Sequence, residues 1–442
     1  MKPQSLLRYL TFLATACLSL AMGALPAHAV PSFARQTGLP CEQCHTSFPE
    51  LTSFGRHFKA EGYTMTTTAT VSGPNGVLEL NATPPLSYML QVGYTRTAKA
   101  QPDSVDSTHA SQNGDILLPQ ELSLFYAGRI SPMMGAFTQI TYSMVDAGFA
   151  IDNTDIRAAN KTQIGDNTLV YGLTINNNPT VQDLWNSTPA WGFPFAATEI
   201  APGPSAAALL DGGLAQLVAG VGGYAAYYMD SGMLYGEYTL YRSAQVGNGQ
   251  VPLDSSAPDA VIKNYAPYMR VAYERDFGNS SWEIGALSLN AKMVPGGNFV
   301  DTTPTDKYAD TGLDTQLQLE SGGNIYGVKG LYLKEKQTWG AASMGSTASN
   351  ATDNLTTTRL TGSFTHQHNW GANVQLFSIT GDSDTNLYGG APDSAGEVVE
   401  LNYTPWLNTR FSAQYTKYSK LDGASSGASD ANTIYLLAWF MF

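Results

Sequence analysis

The sequence predicts an all-β fold: a transmembrane antiparallel β-barrel of about 16 strands behind a small N-terminal α-helical segment. Three observations carry this expectation. Apolar and polar residues alternate with period two along most of the chain, as they do in strands with one face in lipid and one in water. The connections between those strands alternate between short and long. The last stretch, Ile434 to Phe442, is an apolar strand that ends on phenylalanine.

Composition narrows the class in the same direction. Charged residues make up 13% of the chain, aromatic residues 11%, and 43 of 442 residues are glycine. The net charge of −13 argues against a nucleic-acid partner, because such proteins are basic. Mean hydropathy is −0.15, which suits strands that are apolar on only one side. Beyond the first residues no apolar run is long enough for a membrane helix. A soluble, exported all-β protein shares this composition; the strand pattern and the loops must separate the two.

Met1–Ala29 reads as a signal peptide. Lys2 and Arg8 charge its start, Leu10 to Leu25 form the apolar stretch, and Ala27-His28-Ala29 is a small-x-small cleavage site. The stretch is short for a membrane anchor. Lipidation at Cys17 is disfavoured, since the residues after it are still apolar.

Residues 30–85 form the second region, which holds Cys41-Glu42-Gln43-Cys44-His45. C-x-x-C-H is the attachment signature of a c-type haem. The two thiols add to the haem vinyl groups and the histidine gives iron an axial ligand. A lone C-x-x-C also serves as a disulfide, half a zinc site or a redox dithiol. The trailing His45, in an exported chain with no second cysteine pair, selects one covalent haem c.

A helix should follow. Ser47 and Glu50 match a capping box, with Pro49 in the first turn. Leu51, Phe54 and Phe58 recur at helical spacing, Arg56 and Lys59 lie off that face, and Gly62 is a plausible C′ stop. The sixth iron position has two main candidates. His57 is on this helix, and Met65 follows it. His109, His366 and His368 are more distant ones. Histidine there would give a lower potential than methionine.

Residues 86–442 read as the barrel. Strands centre near Met89, Leu124, Ile140, Ile156, Tyr171, Val221, Tyr235, Met269, Ala286, Thr315, Val328, Leu360, Val374, Val399, Ala413 and Leu437. Leu313, Leu317 and Leu319 alternate with Asp314, Gln316 and Gln318; Phe411 and Tyr415 alternate with Ser412 and Gln414. Trp282–Ala291 is apolar on both faces and alternates poorly. Short turns after even-numbered strands and long polar loops after most odd ones, such as Lys99–Pro119, mark an outer-membrane barrel. Both termini are then periplasmic. Asn176 to Gly213 is the longest irregular stretch, and its aromatics allow it to fold inward and narrow the lumen, to pack on the haem domain, or to close on itself at the outer rim.

No competing enzyme constellation stands out. Ser, His and Asp residues lack a nucleophile-elbow pattern, and no phosphate-binding glycine loop opens a helix. Asp103, Asp106, Asp115, Asp382, Asp384 and Asp393 either draw in metal cations or are simply solvated.

One resemblance rests on Pro31-Ser32-Phe33-Ala34-Arg35-Gln36-Thr37-Gly38-Leu39-Pro40 leading into Cys41–His45, then Phe54-Gly55-Arg56, Phe58-Lys59 and Gly62-Tyr63. This segment resembles the outer-membrane monohaem cytochrome c–porin fusion family, some members of which are iron oxidases that take electrons from Fe(II) outside the cell. The likeness covers the haem segment alone; the rest matches by architecture. It implies Cys41 and Cys44 as attachment points and His45 as ligand. No residue matches an iron substrate site, so an Fe(II):cytochrome oxidoreductase activity stays open. The expected function is electron transfer across the bacterial outer membrane, between a small extracellular redox donor or acceptor and a periplasmic electron carrier. The alternatives are a diffusion porin with a haem-bearing plug or sensor, and a soluble exported cytochrome with a β-rich binding domain.

Overall fold

The computed structural model describes residues 31–73, 79–100, 113–144, 147–188, 193, 195–243, 260–295 and 304–442. The expected signal peptide, His109, Asp103 and Asp106 lie outside them. From Leu86 onward the chain is a closed antiparallel barrel. Its strands are β1 (Leu86–Thr97), β2 (Asp115–Ser131), β3 (Met134–Ser143), β4 (Gly148–Ile164), β5 (Asn167–Asn176), β6 (Val218–Met229), β7 (Gly232–Ser243) and β8 (Ala260–Ile262 with Ala266–Asp276). They continue as β9 (Ser280–Pro295), β10 (Asp306–Ser321), β11 (Asn324–Thr338), β12 (Thr352–His366), β13 (Trp370–Gly381), β14 (Ser394–Trp406), β15 (Thr409–Lys420) and β16 (Thr433–Met441). Seventeen strand segments, two of them pieces of β8, make these sixteen strands. Every expected centre falls in its strand. The seam closes where β16 pairs with β1, from Thr433 opposite Thr97 to Met441 opposite Met89.

Alternation sets which residues face out. On β10, Leu313, Leu317 and Leu319 are exposed, whereas Asp314, Gln316 and Gln318 are buried in the lumen. On β15, Phe411 and Tyr415 face out while Ser412 and Gln414 face in. An apolar outer wall of this extent suits lipid rather than water, which leaves no place for the soluble reading.

The connections also sort as expected. Seven turns of two or three residues lie at one end: Pro132-Met133, Gly165-Asp166, Asp230-Ser231, Phe277–Asn279, Gly322-Gly323, Gln367–Asn369 and Leu407-Asn408. Gly322 and Gly323 both take positive φ, as a two-residue hairpin of this hand demands. The longer connections lie at the other end. One of them, in its described residues 177–188, 193 and 195–217, folds into the barrel. Leu210 and Leu214 from it pack on Leu287 and Leu289 of β9 and Leu331 and Leu333 of β11. That contact explains the poor alternation of β9: its inner face meets chain instead of water.

The N-terminal segment also enters the barrel. It comprises α1 (Pro31–Thr37), α2 (Cys41–Cys44), a small hairpin of His45–Ser47 with Glu50–Leu51, and α3 (Ser53–Ala60). The expected helix start at Ser47 is thus corrected. Ser47 and Glu50 pair as strand residues, and Thr52 caps α3, its Oγ1 accepting from Gly55 N–H at 3.1 Å. Glu50 is drawn away by the barrel wall: Lys329 Nζ lies 2.6 Å from it and Gln316 donates to it at 3.1 Å. The far end behaves as expected. Gly62, at φ 72°, donates to Lys59 O at 3.1 Å, and Tyr63 donates to Phe58 O at 3.0 Å, which closes the helix.

Candidate functional site

Helix α3 presents two chemically opposite faces, and the lumen meets each in kind. Arg56 and Lys59, expected merely to lie off the apolar face, are among the most buried side chains of the protein. Arg56 Nε sits 2.6 Å from Glu274 on β8, with both side chains 1% exposed. Its other nitrogens donate to Leu51 O at 2.6 Å, Gln318 at 3.3 Å and Ser281 at 3.3 Å. Lys59 Nζ donates to Val181 O at 2.6 Å and Asp183 O at 2.9 Å in the inward-folded loop. The loop is locked to the same wall. Trp185 donates to Glu274 at 2.6 Å and lies under Arg270. Arg270 also pairs with Asp183 at 3.3 Å, Glu283 at 3.0 Å and Asp314 at 2.6 Å. Buried charges persist only when paired like this.

The apolar face opens on a cavity of about 510 Å³, within the usual size of ligand and cofactor pockets. Cys44 and His45 line it with Phe33, Phe48, Phe58 and Tyr63 of the N-terminal segment, Phe195 of the loop, and Met89, Phe125, Phe137 and Trp439 of the wall. The wall residues come from β1, β2, β3 and β16. Barrel lumens are generally polar; this aromatic wall departs from that, as does the leucine cluster on the inner faces of β9 and β11. The chain gave a signal for it. Met89 stands among Ser87, Gln91, Gly93 and Thr95, and β16 is apolar on its inner face too, at Tyr435, Leu437, Trp439 and Met441.

His45 is fixed by the turn that follows it. Its Nδ1 lies 3.2 Å from Pro49 O, so Nδ1 carries the proton there and Nε2 keeps its lone pair. Burial pushes the imidazole down to about 4, so it is neutral, as a metal ligand must be. Burial and neighbouring Cys41 push the Cys44 thiol up to about 11. Neither cysteine is in a disulfide. Gly55 lets α3 lie directly on the carbonyl of Cys44; a Cβ there would collide with that backbone. Thr52 ties the same turn down, donating to Gln43 O at 2.7 Å and, through its N–H, to Cys44 O at 2.9 Å. A smaller cavity of about 80 Å³ lies on the other side of His45, towards the short turns, lined by Cys41, Glu42, His368, Arg410, Trp439 and Met441.

The remaining expected ligands fall in different places. The ring of His57 packs on Tyr228 of β6 with centroids 4.3 Å apart, and His57 does not line the cavity of His45. Its burial there pushes its pKa down. Met65 packs against the aromatic cluster around the cavity without lining it. His366 contacts Asn324 at 2.8 Å at the end of β12, and His368 reaches only the smaller cavity. Among the described residues no group of three or more His, Cys, Asp or Glu is set to hold a metal ion.

The residues present fit a c-type haem. A cavity with an aromatic wall, bounded elsewhere by polar residues that include Lys59, Gln139 and Asp183, stands directly beside the C-x-x-C-H run, with a neutral histidine whose free nitrogen is fixed by the hydrogen bond of the other. At the long-loop side the same cavity is bordered by Glu121, Asp152 and Glu199.

No protein-family profile matches the chain, and no curated protein does. Solved structures match in overall shape. A loop L8 deletion mutant of OmpT, an outer membrane protein of Vibrio cholerae, is 10% identical, with a TM-score of 0.44 over 81% of this chain and 98% of that one. The outer membrane channel DcaP of Acinetobacter baumannii is 11% identical, with a TM-score of 0.44 over 85% of this chain and 100% of that one. OmpF of Salmonella typhi, in complex with daunomycin, is 9% identical, with a TM-score of 0.43 over 85% and 100%. Likeness of this degree carries no argument; the barrel stands on its own closed strand order.

Proposed function

We propose that this chain is a bacterial outer-membrane barrel that carries one covalent c-type haem in its lumen and passes electrons across the membrane. The observation that carries the proposal is the cavity beside Cys41–His45, one wall of which is built from the rings of Phe33, Phe48, Phe125, Phe137 and Trp439. Cys41 and Cys44 would attach the haem and His45 Nε2 would ligate its iron. A haem so bound supplies one-electron transfer. The chain's own residues do the rest. Phe33, Phe48, Phe125, Phe137 and Trp439 exclude water, and the Pro49 carbonyl holds the His45 ring.

Placement inside the barrel gives the arrangement its purpose. An apolar band is roughly 25 Å tall, so a redox centre at either surface is far from the opposite one. A centre in the lumen is approached from both mouths. Towards the short turns, periplasmic with both termini in this reading, a periplasmic electron carrier reaches the side of Cys41 and Glu42. Towards the long loops, a small hydrated donor or acceptor reaches the carboxylates Glu121, Asp152 and Glu199. Fe(II) is the leading extracellular donor by family resemblance alone.

Two measurements test the proposal. On a denaturing gel stained for haem peroxidase activity, the wild type should stain, and Cys44→Ala or His45→Ala should not. An unstained wild type ends the proposal. In liposomes with the long loops outward, an impermeant outside reductant should reduce a trapped acceptor. If the acceptor stays oxidised while small solutes pass, the chain is a diffusion porin. One observation favours that second reading: a further cavity of about 270 Å³ beside the plug, whose lining includes Thr46, Glu50, Lys329, Arg359 and Gln375.

A further inference from the structure

We infer that Met89, on the inner wall of β1, supplies the second axial ligand to the iron that His45 would hold; the inference rests on the proposed haem function. Haem iron takes histidine, cysteine, methionine or tyrosine from a protein. Among the described residues lining the large cavity, those types are Cys44, His45, Tyr63 and Met89. Cys44 belongs to the attachment. The hydroxyl of Tyr63 donates to Asp155 at 2.7 Å, a buried partner that does not line the cavity. That leaves the thioether of Met89. It is 4% exposed, faces the lumen, and accepts only a long contact of 3.7 Å from Gln91 Nε2.

The wall around it supports the choice. Met89 stands directly opposite Met441 across the seam between β1 and β16. Met441 lines the smaller cavity, with Cys41 and His45. A thioether therefore lies on each cavity that His45 borders, and Met89 is the one that shares its cavity with Cys44. The rival His57 is turned towards Tyr228 on β6, five strands round the wall from β1. Ligation by Met89 joins the attachment segment to the strand that closes the barrel. Six-coordinate iron would then form only once the seam has closed.

The test uses the full-length protein with haem loaded in cells. The haem-stained gel comes first, because an unstained wild type removes the proposed function itself. With stain present, reduced wild type should show a six-coordinate spectrum and no carbon monoxide binding. Met89→Leu keeps the cavity filled, and an unheated sample that still runs faster than a boiled one shows that the barrel has closed. This variant should lose the six-coordinate spectrum and bind carbon monoxide. Met89→His should stay six-coordinate, exclude carbon monoxide and show a lower reduction potential than wild type. Wild type that binds carbon monoxide overturns the inference. So does a Met89→Leu protein with unchanged spectrum, in which case Met441→Leu, Met65→Leu or His57→Ala identifies the ligand by opening the iron.

Discussion

Two arcs of the inner wall treat the same plug in opposite ways. From β8 to β11 the wall offers Arg270, Glu274, Glu283, Asp314 and Lys329, and these meet Arg56, Asp183, Trp185 and Glu50 from the segments inside. From β16 through β3 it offers the rings of Trp439, Phe125 and Phe137 and the thioether of Met89, with Glu121 of β2 bordering the same cavity towards the long loops. The first arc fixes position, because charge-assisted bonds are directional and costly to break when buried. The second arc leaves space, because ring edges and thioethers tolerate a bound apolar group. A plug whose only task was to narrow the lumen needs the first arc and not the second. The asymmetry is the physical reason to look for a cofactor on the β16–β3 side.

Breaking the first arc should have the largest effect on the fold. Arg56→Ala strands Glu274 in a site where both partners are 1% exposed, which costs about 3–5 kcal/mol. The outcome to look for is a released plug: chemical unfolding of the N-terminal segment at lower denaturant, and a higher conductance in planar bilayers. Arg56→Met combined with Glu274→Leu should be less damaging than either single change, since no charge is then left unpaired. Equal damage from the single and double variants would mean that the arc holds position by shape and not by charge.

Between the arcs lies the contact of α3 with the C-x-x-C-H turn, which Gly55 permits. Gly55→Ala forces the helix off the Cys44 carbonyl, an overpacking change worth about 1–3 kcal/mol. Since His45 is anchored by the neighbouring hairpin, the displacement should reach the second arc as a shifted haem spectrum, while plug release stays small. Plug release as large as that of Arg56→Ala, with an unshifted spectrum, would contradict the division into two arcs.

Much of this was legible in the residues, and the misses share one cause. Sixteen strands could be located because each has a lipid side and a lumen side, and the alternation records that difference locally. The C-x-x-C-H run is likewise local. What the pattern could not reveal is where the lumen stops being watery. Met89 and Trp439 look like breaks in polar alternation until Leu184 and Phe195 of the inward loop and the N-terminal segment are seen inside the barrel. Arg56 and Lys59 look like a solvated helix face until Glu274 and the loop carbonyls are found opposite them. The Ser47–Glu50 capping pattern failed for the same reason, as Lys329 took the carboxylate that the cap would need.

The smallest expected effect sharpens that last point. Thr52, and not Ser47, begins α3, and it also reaches across to the attachment turn. Its Oγ1 accepts from Gly55 N–H at 3.1 Å, while its hydroxyl donates to Gln43 O at 2.7 Å. Thr52→Ala removes an N-cap, which is worth about 1 kcal/mol. Ser47→Ala changes a hairpin residue with no capping role and should move stability by less than about 0.5 kcal/mol, as a substitution away from such features does. Thr52→Ser keeps an oxygen in place and should restore most of the loss. The comparison is made by denaturant unfolding of the N-terminal segment in the three variants. If Ser47→Ala were the more destabilising, the helix would begin where the sequence pattern places it. The hairpin that sets His45 against Pro49 would then have to be redrawn, and with it the orientation of the ligand towards the aromatic arc.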